Sequence, residues 1–351
     1  MLQPTIFITG GAGFIGSALV HYLIQHTDCH IVNIDKLTYA GHLSSLETIL
    51  NHPRHTFIQA DINDSCLLDK LFKQHQPCGI IHLAAESHVD NAILSPSAFI
   101  ETNIMGTFSL LQASLNYWQR LPEKKQSTFR FHHVSTDEVY GNLAENDTPF
   151  SENSPYRPQN PYAASKASSD HLVNSWHNTY AIPIIITHSS NNYGPHQLPE
   201  KLIPKLIINA IQGQSLTLYG DGRQIRDWLY VDDHAAAIWH VFQHGEIGET
   251  YNIGDQNELR NIELTYKICD LLDKYLPCHY NANTSEINSY RELIINIQDR
   301  PGHDTRYSLD TNKIQHKLGW SAKTRFQDGL IKTINWYLSH AAWWQALKPH
   351  R

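Results

Sequence analysis

The chain has 351 residues, more than a single core usually grows to, so one large domain with a smaller appended portion is expected. With 41% hydrophobic and 17% charged residues it reads as an ordinary globular protein. A formal net charge of −7 excludes a general nucleic-acid binder, which needs clustered cations.

In chain order, strands are expected at Thr5–Thr9, His30–Asp35, His55–Ala60, Gly79–Ala84, Phe129–Ser135 and Ile182–His188, with helical patterns near 14–26, 64–75, 97–118 and 162–180. Runs rich in Ile, Val and Phe with little alternation suit parallel strands buried on both faces. Their alternation with helices predicts an α/β fold, a Rossmann-type doubly wound parallel sheet with right-handed crossovers. Residues 141–160, rich in Pro, Asn, Ser and Glu, form a loop long enough to be a lid, a substrate wall or a partner contact. Beyond about residue 190 short strands at Leu216–Tyr219 and Thr250–Ile253 interleave with helices near 201–212, 232–243 and 262–275. We therefore divide the chain into residues 1–190 and a smaller C-terminal α/β portion, 191–351, over the mouth of the sheet.

Five scattered cysteines without a CxxC pair suggest neither disulfides nor zinc, and 23 histidines show no metal-ligand spacing, so no metal is expected. The opening MLQPTIFITGG enters a strand at once, with no signal peptide, and no apolar run reaches the roughly 18 residues of a membrane span. These features favour a reducing, cytoplasmic setting without membrane contact.

Gly10-Gly11-Ala12-Gly13-Phe14-Ile15-Gly16 follows the first strand and opens an amphipathic helix. Glycine permits a tight turn and close approach of a pyrophosphate, while the helix N-terminus offers N–H donors and positive potential. Asp35, at the end of the second strand, is placed to accept bonds from adenosine ribose hydroxyls. Its charge would repel a 2′-phosphate, so NAD is favoured over NADP. The GxxGxxG spacing resembles that of short-chain dehydrogenase/reductase-like proteins, in which Asp61-Ile62 would hold the adenine.

Tyr162 and Lys166 lie four residues apart, on one helix face. A phenol titrates near 10, too high for a base at neutral pH, and a nearby ammonium and a positive nicotinamide would both lower it. Lys166 would also hold the nicotinamide ribose. Thr136-Asp137-Glu138 ends the fifth strand, where open α/β sheets place their ligands. Two adjacent carboxyls in a partly dry pocket push their pKa values apart, so one stays protonated while the other ionises. An acid beside a base is what elimination of water requires.

On the segments GGAGFIGS, IDKLTYAG, AAESHVD, HVSTDEVYG, PYAASKASSDHLV, SNNYGP, EKLIP, YGDGRQIRDWLYVDDHA, ETYNIG and DRPGHDTRYSLD, which run from about residue 4 to 340, the sequence resembles the dTDP-glucose 4,6-dehydratase family, extended members of the short-chain dehydrogenase/reductase superfamily. The resemblance implies a homodimer through helices 97–118 and 162–180, with dTDP-glucose as substrate. Its product would serve deoxysugar synthesis, as in the dTDP-rhamnose pathway. Tyr162 would take the C4 hydroxyl proton while hydride passes to NAD. Thr136 would hold the C4 oxygen, Glu138 would remove the C5 proton, and Asp137 would protonate the C6 hydroxyl as water leaves. Hydride then returns to C6, with a proton restored at C5.

The resemblance also implies cofactor contacts at Gly10, Gly13, Phe14, Ile15, Gly16, Asp35, Lys36, Leu37, Thr38, Asp61, Ile62, Leu83, Ala84, Ala85, Ser87, Thr102, Tyr162, Lys166 and Asn192. Asn191, Lys201 and Leu202 would surround the substrate pyrophosphate, and Arg226 and Arg300 would supply phosphate charge. Ser87 would reach the hexose, Thr217 and Tyr219 would lie near the base, and Asn261 and His303 would complete the nucleotide site. Departures are Asn91 and Ala92 for Arg and Ser, Thr217 for proline, and Thr187-His188-Ser189 for Thr-Asn-Cys. Thr217 bears on the choice of base, and His188 on how tightly the cofactor is held. A 4,6-dehydratase of another nucleotide sugar is a near alternative. A 4-epimerase shares the fold, NAD and the Tyr/Lys pair but needs no Asp137-Glu138. A non-catalytic NAD-binding scaffold would be expected to lose Tyr162 or Lys166.

Overall fold

The computed structural model describes residues 3–299 and 304–347. The apolar runs of the first half become Thr5–Thr9 (β1), His30–Asp35 (β2), His55–Gln59 (β3), Gly79–His82 (β4), Arg130–Thr136 (β5) and Ile184–Ser189 (β6). The second half adds Asn191–Tyr193 (β7), Leu216–Tyr219 (β8), Ile225–Tyr230 (β9), Thr250–Ile253 (β10), Glu258–Arg260 (β11) and Ile294–Ile297 (β12). Seven strands form one parallel sheet in the order β10-β6-β5-β4-β1-β2-β3, while β11-β9-β7 and β12-β8 make two small sheets. The order reverses beside β1, where doubly wound sheets open a crevice.

The helices are Phe14–His26 (α1), Ser65–His75 (α2), Val89–Leu94 (α3), Pro96–Phe99 (α4), Thr107–Trp118 (α5), Glu123–Gln126 (α6), Pro161–Tyr180 (α7), Leu202–Ile211 (α8), Val231–His244 (α9), Asn261–Tyr275 (α10), Asn312–Leu318 (α11), Phe326–Ser339 (α12) and Ala341–Ala346 (α13). On one face of the large sheet Phe7, Ile80, Phe131 and Ile184 pack against α2, α5 and α7; on the other Ile6, Ile8 and Ile81 meet α1 and α9. Each such side chain contributes about 1.5–3 kcal/mol by leaving water. A separate core around Tyr193, Ile207, Trp228, Ile268 and Ile334 joins β7 and β9 to α8, α10 and α12.

The expected sheet is present, with strand ends moved by one or two residues. The sixth strand starts at Ile184, after Pro183, which has no N–H to give to a ladder. The fourth stops at His82, and Leu83 to Ala85 leave the sheet to wall the cavity. The expected helix 97–118 is interrupted by a π-helical turn at Ile100–Gly106. There the buried Asn103 accepts from Glu86 N–H and donates to the Glu86 carbonyl and to Ser165 Oγ, tying this turn to both the cavity wall and α7. The 191–351 portion is not separate from the large sheet: β10 pairs with β6, and α9 packs on α1.

Candidate active site

A cavity of about 360 Å³ opens at the C-terminal ends of β1, β2, β4, β5 and β6. Gly10 turns the chain with φ of +73°, and a Cβ there would lie 2.6 Å from the Ala84 nitrogen. A Cβ on Gly16 would lie 2.1 Å from the Gly10 carbonyl oxygen, so the loop closes onto α1 only with glycine at both places. Gly13 is the N-cap residue of α1, and no side chain caps that end. Its first-turn donors are therefore left for a ligand.

The Asp35 carboxylate accepts from Ala12 N–H at 2.9 Å and Leu37 N–H at 2.8 Å, which aim it into the cavity; burial pushes its pKa up. Lys36 and Asp61 pair at 2.7 Å. Thr38, Ile62, Leu83, Ala84, Ala85, Ser87 and Thr102 line the cavity with Gly10, Gly13 to Gly16 and Asp35, whereas Leu37 holds Asp35 through its backbone and does not line it. An uncapped helix N-terminus facing a fixed carboxylate across this cleft fits a dinucleotide with free ribose hydroxyls.

Deeper in, β5 delivers Thr136 and runs into a single 3₁₀ turn, Asp137–Tyr140. Thr136 Oγ1 donates to Asp137 Oδ1 at 3.2 Å and accepts from Glu138 N–H at 3.3 Å. Asn160 caps α7 through Ala163 N–H at 2.8 Å, and Pro161 occupies the next position, which needs no N–H. That cap sets Tyr162 and Lys166 on the first turns of α7, facing Thr136 and the two carboxyls across the cavity.

The carboxyls and the cations are tuned by burial. Asp137 Oδ2 is buried with no partner among the described residues; burial, then Glu138 and Asp227, hold this carboxyl well above its ordinary pKa. Burial also raises Glu138, against the hydrogen bond that Asn160 Nδ2 gives to Oε2 at 3.2 Å. Lys166 Nζ donates to the Val134 carbonyl at 2.9 Å, and burial lowers it to about 8.

The phenol of Tyr162 is buried beside negative charge. Burial first, then the charge of Glu138, hold it above its ordinary pKa, with only the Thr136 hydrogen bond pulling it down. Lys166 turns Nζ to the Val134 carbonyl, and the positive charge of the nicotinamide comes only with the cofactor.

Toward the second half of the chain, Asn191, Asn192, Lys201 and Leu202 also line the cavity. Asn192 donates to the Ser190 carbonyl and is met by His234, both at 2.9 Å, while Asn191 Oδ1 is buried without a partner among the described residues. The remaining substrate candidates lie behind the cavity's lining, Arg226 near enough to Asp137 and Glu138 for its charge to pull both down. Thr217 and Tyr219 are on β8, and Asn261 starts α10. Arg226, on β9, gives its guanidinium to the carbonyls of Ile225 and Asp304, at 2.7 and 3.0 Å, and stacks 4.6 Å over Tyr307. None of these four lines the cavity, and Arg300 and His303 lie outside the described residues. His188 is fully buried behind Ser189 and does not touch the cavity.

Sequence reasoning missed Asn160 as a partner of Glu138, although Asn-Pro ahead of a helical pattern signals a cap. It also missed Asp170, which lies 3.2 Å from His133 and 3.0 Å from His188 in the interior behind Lys166. Among the described residues no group of His, Cys, Asp and Glu is arranged to hold a metal, and no helix is long and apolar enough to cross a membrane.

Comparison with known proteins bears on this site. The family described as GDP-mannose 4,6 dehydratase matches residues 7–333. The dTDP-glucose 4,6-dehydratase of Neisseria meningitidis serogroup B is 53% identical over 340 residues, covering 97% of this chain and 95% of that one. The dTDP-glucose 4,6-dehydratase 1 of Escherichia coli K12 is 52% identical over 346 residues, 96% and 94% of the two chains. The crystal structure of dTDP-glucose 4,6-dehydratase from Bacillus anthracis in complex with NAD superposes with a TM-score of 0.86 at 39% identity, covering 99% of this chain and all of that one.

Proposed function

The chain belongs to the dTDP-glucose 4,6-dehydratase family, and we infer from that membership that it is a hydro-lyase converting dTDP-glucose into dTDP-4-keto-6-deoxyglucose and water with NAD as cofactor. The observation that carries the reading is the placing of Asp137 and Glu138 on one 3₁₀ turn opposite Tyr162. NAD held by these residues would supply an acceptor for the C4 hydride, a donor of it to C6, and positive charge in the cavity.

The roles of the chain's own residues follow. Thr136 and Tyr162 hold the C4 oxygen, and Tyr162 takes its proton. A ketone at C4 acidifies the C5 hydrogen, which Glu138 removes as general base, its carboxylate aimed by Asn160, and C5 takes a proton back when hydride reaches C6. Asp137, kept protonated by burial and by the charges of Glu138 and Asp227, gives its proton to the departing C6 hydroxyl. Lys166 fixes the nicotinamide ribose. The glycine loop, Lys36, Thr38, Asp61, Ile62, Leu83 to Ala85, Thr102 and Asn192 hold the dinucleotide, with Asp35 on the adenosine ribose. Ser87, Asn191, Lys201 and Leu202 face the sugar and pyrophosphate. We assign Arg226, Thr217, Tyr219, Asn261, Arg300 and His303 to the outer nucleotide site, where Arg226 would exchange its carbonyl partners for phosphate oxygens.

Residues 1–190 thus serve mainly the cofactor and 191–351 mainly the substrate. Exposed Ile93, Leu94, Ile100, Met105, Phe108 and Tyr180 beside α5 and α7 form an apolar face suited to a second copy, giving a homodimer. Five unpaired cysteines suit a cytoplasmic location. Turnover of dTDP-glucose in heavy water tests the reaction: deuterium should enter C5 while the C4 hydrogen moves to C6 of the same molecule. Exchange at neither position would refute the reading.

A further inference from the structure

His188 lies on β6 in the closed interior, and every polar atom of its ring has a partner. Nε2 is 3.0 Å from Asp170 Oδ2 and 2.9 Å from the Tyr156 hydroxyl; Nδ1 is 2.9 Å from the Tyr140 hydroxyl. The neighbours decide where the ring protons sit. Asn252 turns Nδ2 toward the carbonyls of Phe150 and Asp310, at 2.9 and 3.3 Å, which leaves its Oδ1 facing Tyr140 at 3.0 Å. The single hydroxyl hydrogen of Tyr140 therefore goes to Asn252, and Tyr140 accepts from Nδ1–H of His188.

On the other side of the ring stands a carboxylate. Burial pushes Asp170 up, but hydrogen bonds from His133 and His188 outweigh it and hold the group well below the usual carboxylate range. Ser135 Oγ also donates to Asp170 Oδ2 at 3.0 Å. A carboxylate only accepts, and the Tyr156 hydroxyl gives its one hydrogen to Asp170, so Nε2 carries a hydrogen too. Both ring nitrogens are donors.

We propose that His188 is a positioning residue: a sealed imidazolium that serves as counter-ion to Asp170 and so limits how much of that carboxylate's field reaches Lys166. The path between them is short. His133 Nε2 lies 3.2 Å from Asp170 Oδ1 and 3.5 Å from Lys166 Nζ. His133 is itself lowered to about 4 by burial and then by Lys166, so it gives Asp170 a hydrogen bond but no charge.

The groups around His188 come from several elements: Tyr140 from the 3₁₀ turn, Tyr156 from the 141–160 loop with His171 beside it, Asp170 from α7, and His133 from β5. Asn252 comes from β10, with Glu152 accepting its N–H at 2.8 Å. Asp170 is the carboxylate that touches the ring. With His188 charged, Lys166 sits beside a neutral pair. With an uncharged side chain at 188, Lys166 becomes the nearest cation to a bare buried carboxylate and holds its proton more tightly. The part played by Lys166 rests on the function proposed above, whereas the charge of His188 does not.

Nitrogen NMR of the full chain with labelled histidine tests the charge, the ring being assigned by its loss in His188→Asn. Both nitrogens of His188 should carry protons at neutral pH. In Asp170→Asn the ring should lose its second proton, and this variant also assigns it should His188→Asn not fold. A bare ring nitrogen in the unsubstituted protein at neutral pH, or an unchanged ring in Asp170→Asn, overturns the proposal. The pH profile of kcat tests the link to Lys166. His188→Asn should move its alkaline limb upward by about one unit, and adding Asp170→Asn should bring it back. An unmoved limb in His188→Asn overturns that link, while a protein without dehydratase turnover would fail at the reaction and leave the NMR result readable.

Discussion

Asn160 and Glu138 are joined by an amide-to-carboxylate hydrogen bond of 3.2 Å, made by the same side chain that caps α7. One residue thus fixes both the helix that presents Tyr162 and the carboxylate facing it. Asn160→Ser keeps a capping oxygen but loses the amide, so the melting temperature should barely change while kcat falls about tenfold, the scale of one lost charge-assisted hydrogen bond. Asn160→Ala should lose about 1 kcal/mol of stability as well. Thermal melts beside kcat separate the two jobs. Equal kcat in the two variants and the unsubstituted enzyme would remove Asn160 from the chemistry.

Glu138→Gln preserves shape and hydrogen bonding but cannot take a proton. It should bind dTDP-glucose and still oxidise C4, so the reduced-nicotinamide absorbance builds up in a single turnover while 4-keto-6-deoxy product and C5 deuterium are lost. Product formed at the normal rate would show that another group is the base.

Lys166 supplies a pH dependence. Burial lowers its folded-state pKa to about 8 from 10.5, so its charge is present below about 8 and is lost as pH rises through that value. The kcat profile should fall there. Between about 8 and 10.5 the unfolded chain holds a proton that the folded chain has released. This group's contribution to stability therefore increases with pH across the window in which activity declines. Lys166→Arg keeps its charge, so the limb should disappear even though kcat is lower.

Gly16→Ala places a methyl where the Gly10 carbonyl stands, 2.1 Å away. The loop must open, and the protein should be isolated folded but without dinucleotide. Circular dichroism and the cofactor released on denaturation measure the two halves of this expectation. Full NAD content would contradict it.

Phe108→Asp together with Ile93→Asp puts charge on the exposed apolar face beside α5 and α7. If that face is the dimer interface proposed above, light scattering should give a dimer's mass for the unsubstituted chain and a monomer's for the variant. An unchanged mass would place the interface elsewhere.

The large sheet was legible because strands such as Ile184–Ile186 are buried on both faces and so nearly all apolar. Strand β9 was not. Its Arg226 and Asp227 look like loop residues, and their partners, the Asp304 carbonyl and the Asn257 N–H, are brought to them only by folding. The glycine loop, Asp35, Thr136, both carboxyls, Tyr162 and Lys166 do meet around one cavity, since their spacing and their place at strand ends carry the information. The direction of the Lys166 ammonium was illegible for the opposite reason. Position four on a helix shows that Lys166 is near, but not that its ammonium is turned to Val134. The His133–Asp170–His188 cluster joins three separate elements, and no local pattern announces it.

The place of β10 in the large sheet has a consequence for how the chain is made. Six of the seven strands have been synthesised once Ser189 is reached, but the neighbour that covers β6 is not made until Thr250–Ile253. A nascent chain on the ribosome therefore carries an open, apolar strand edge throughout synthesis of β7 to α9, and any second strand of suitable length could pair with it. Chains cut short before Thr250 should accumulate as aggregates, and heat-shock holdases would meet this protein on its way out of the ribosome more often than in its finished form.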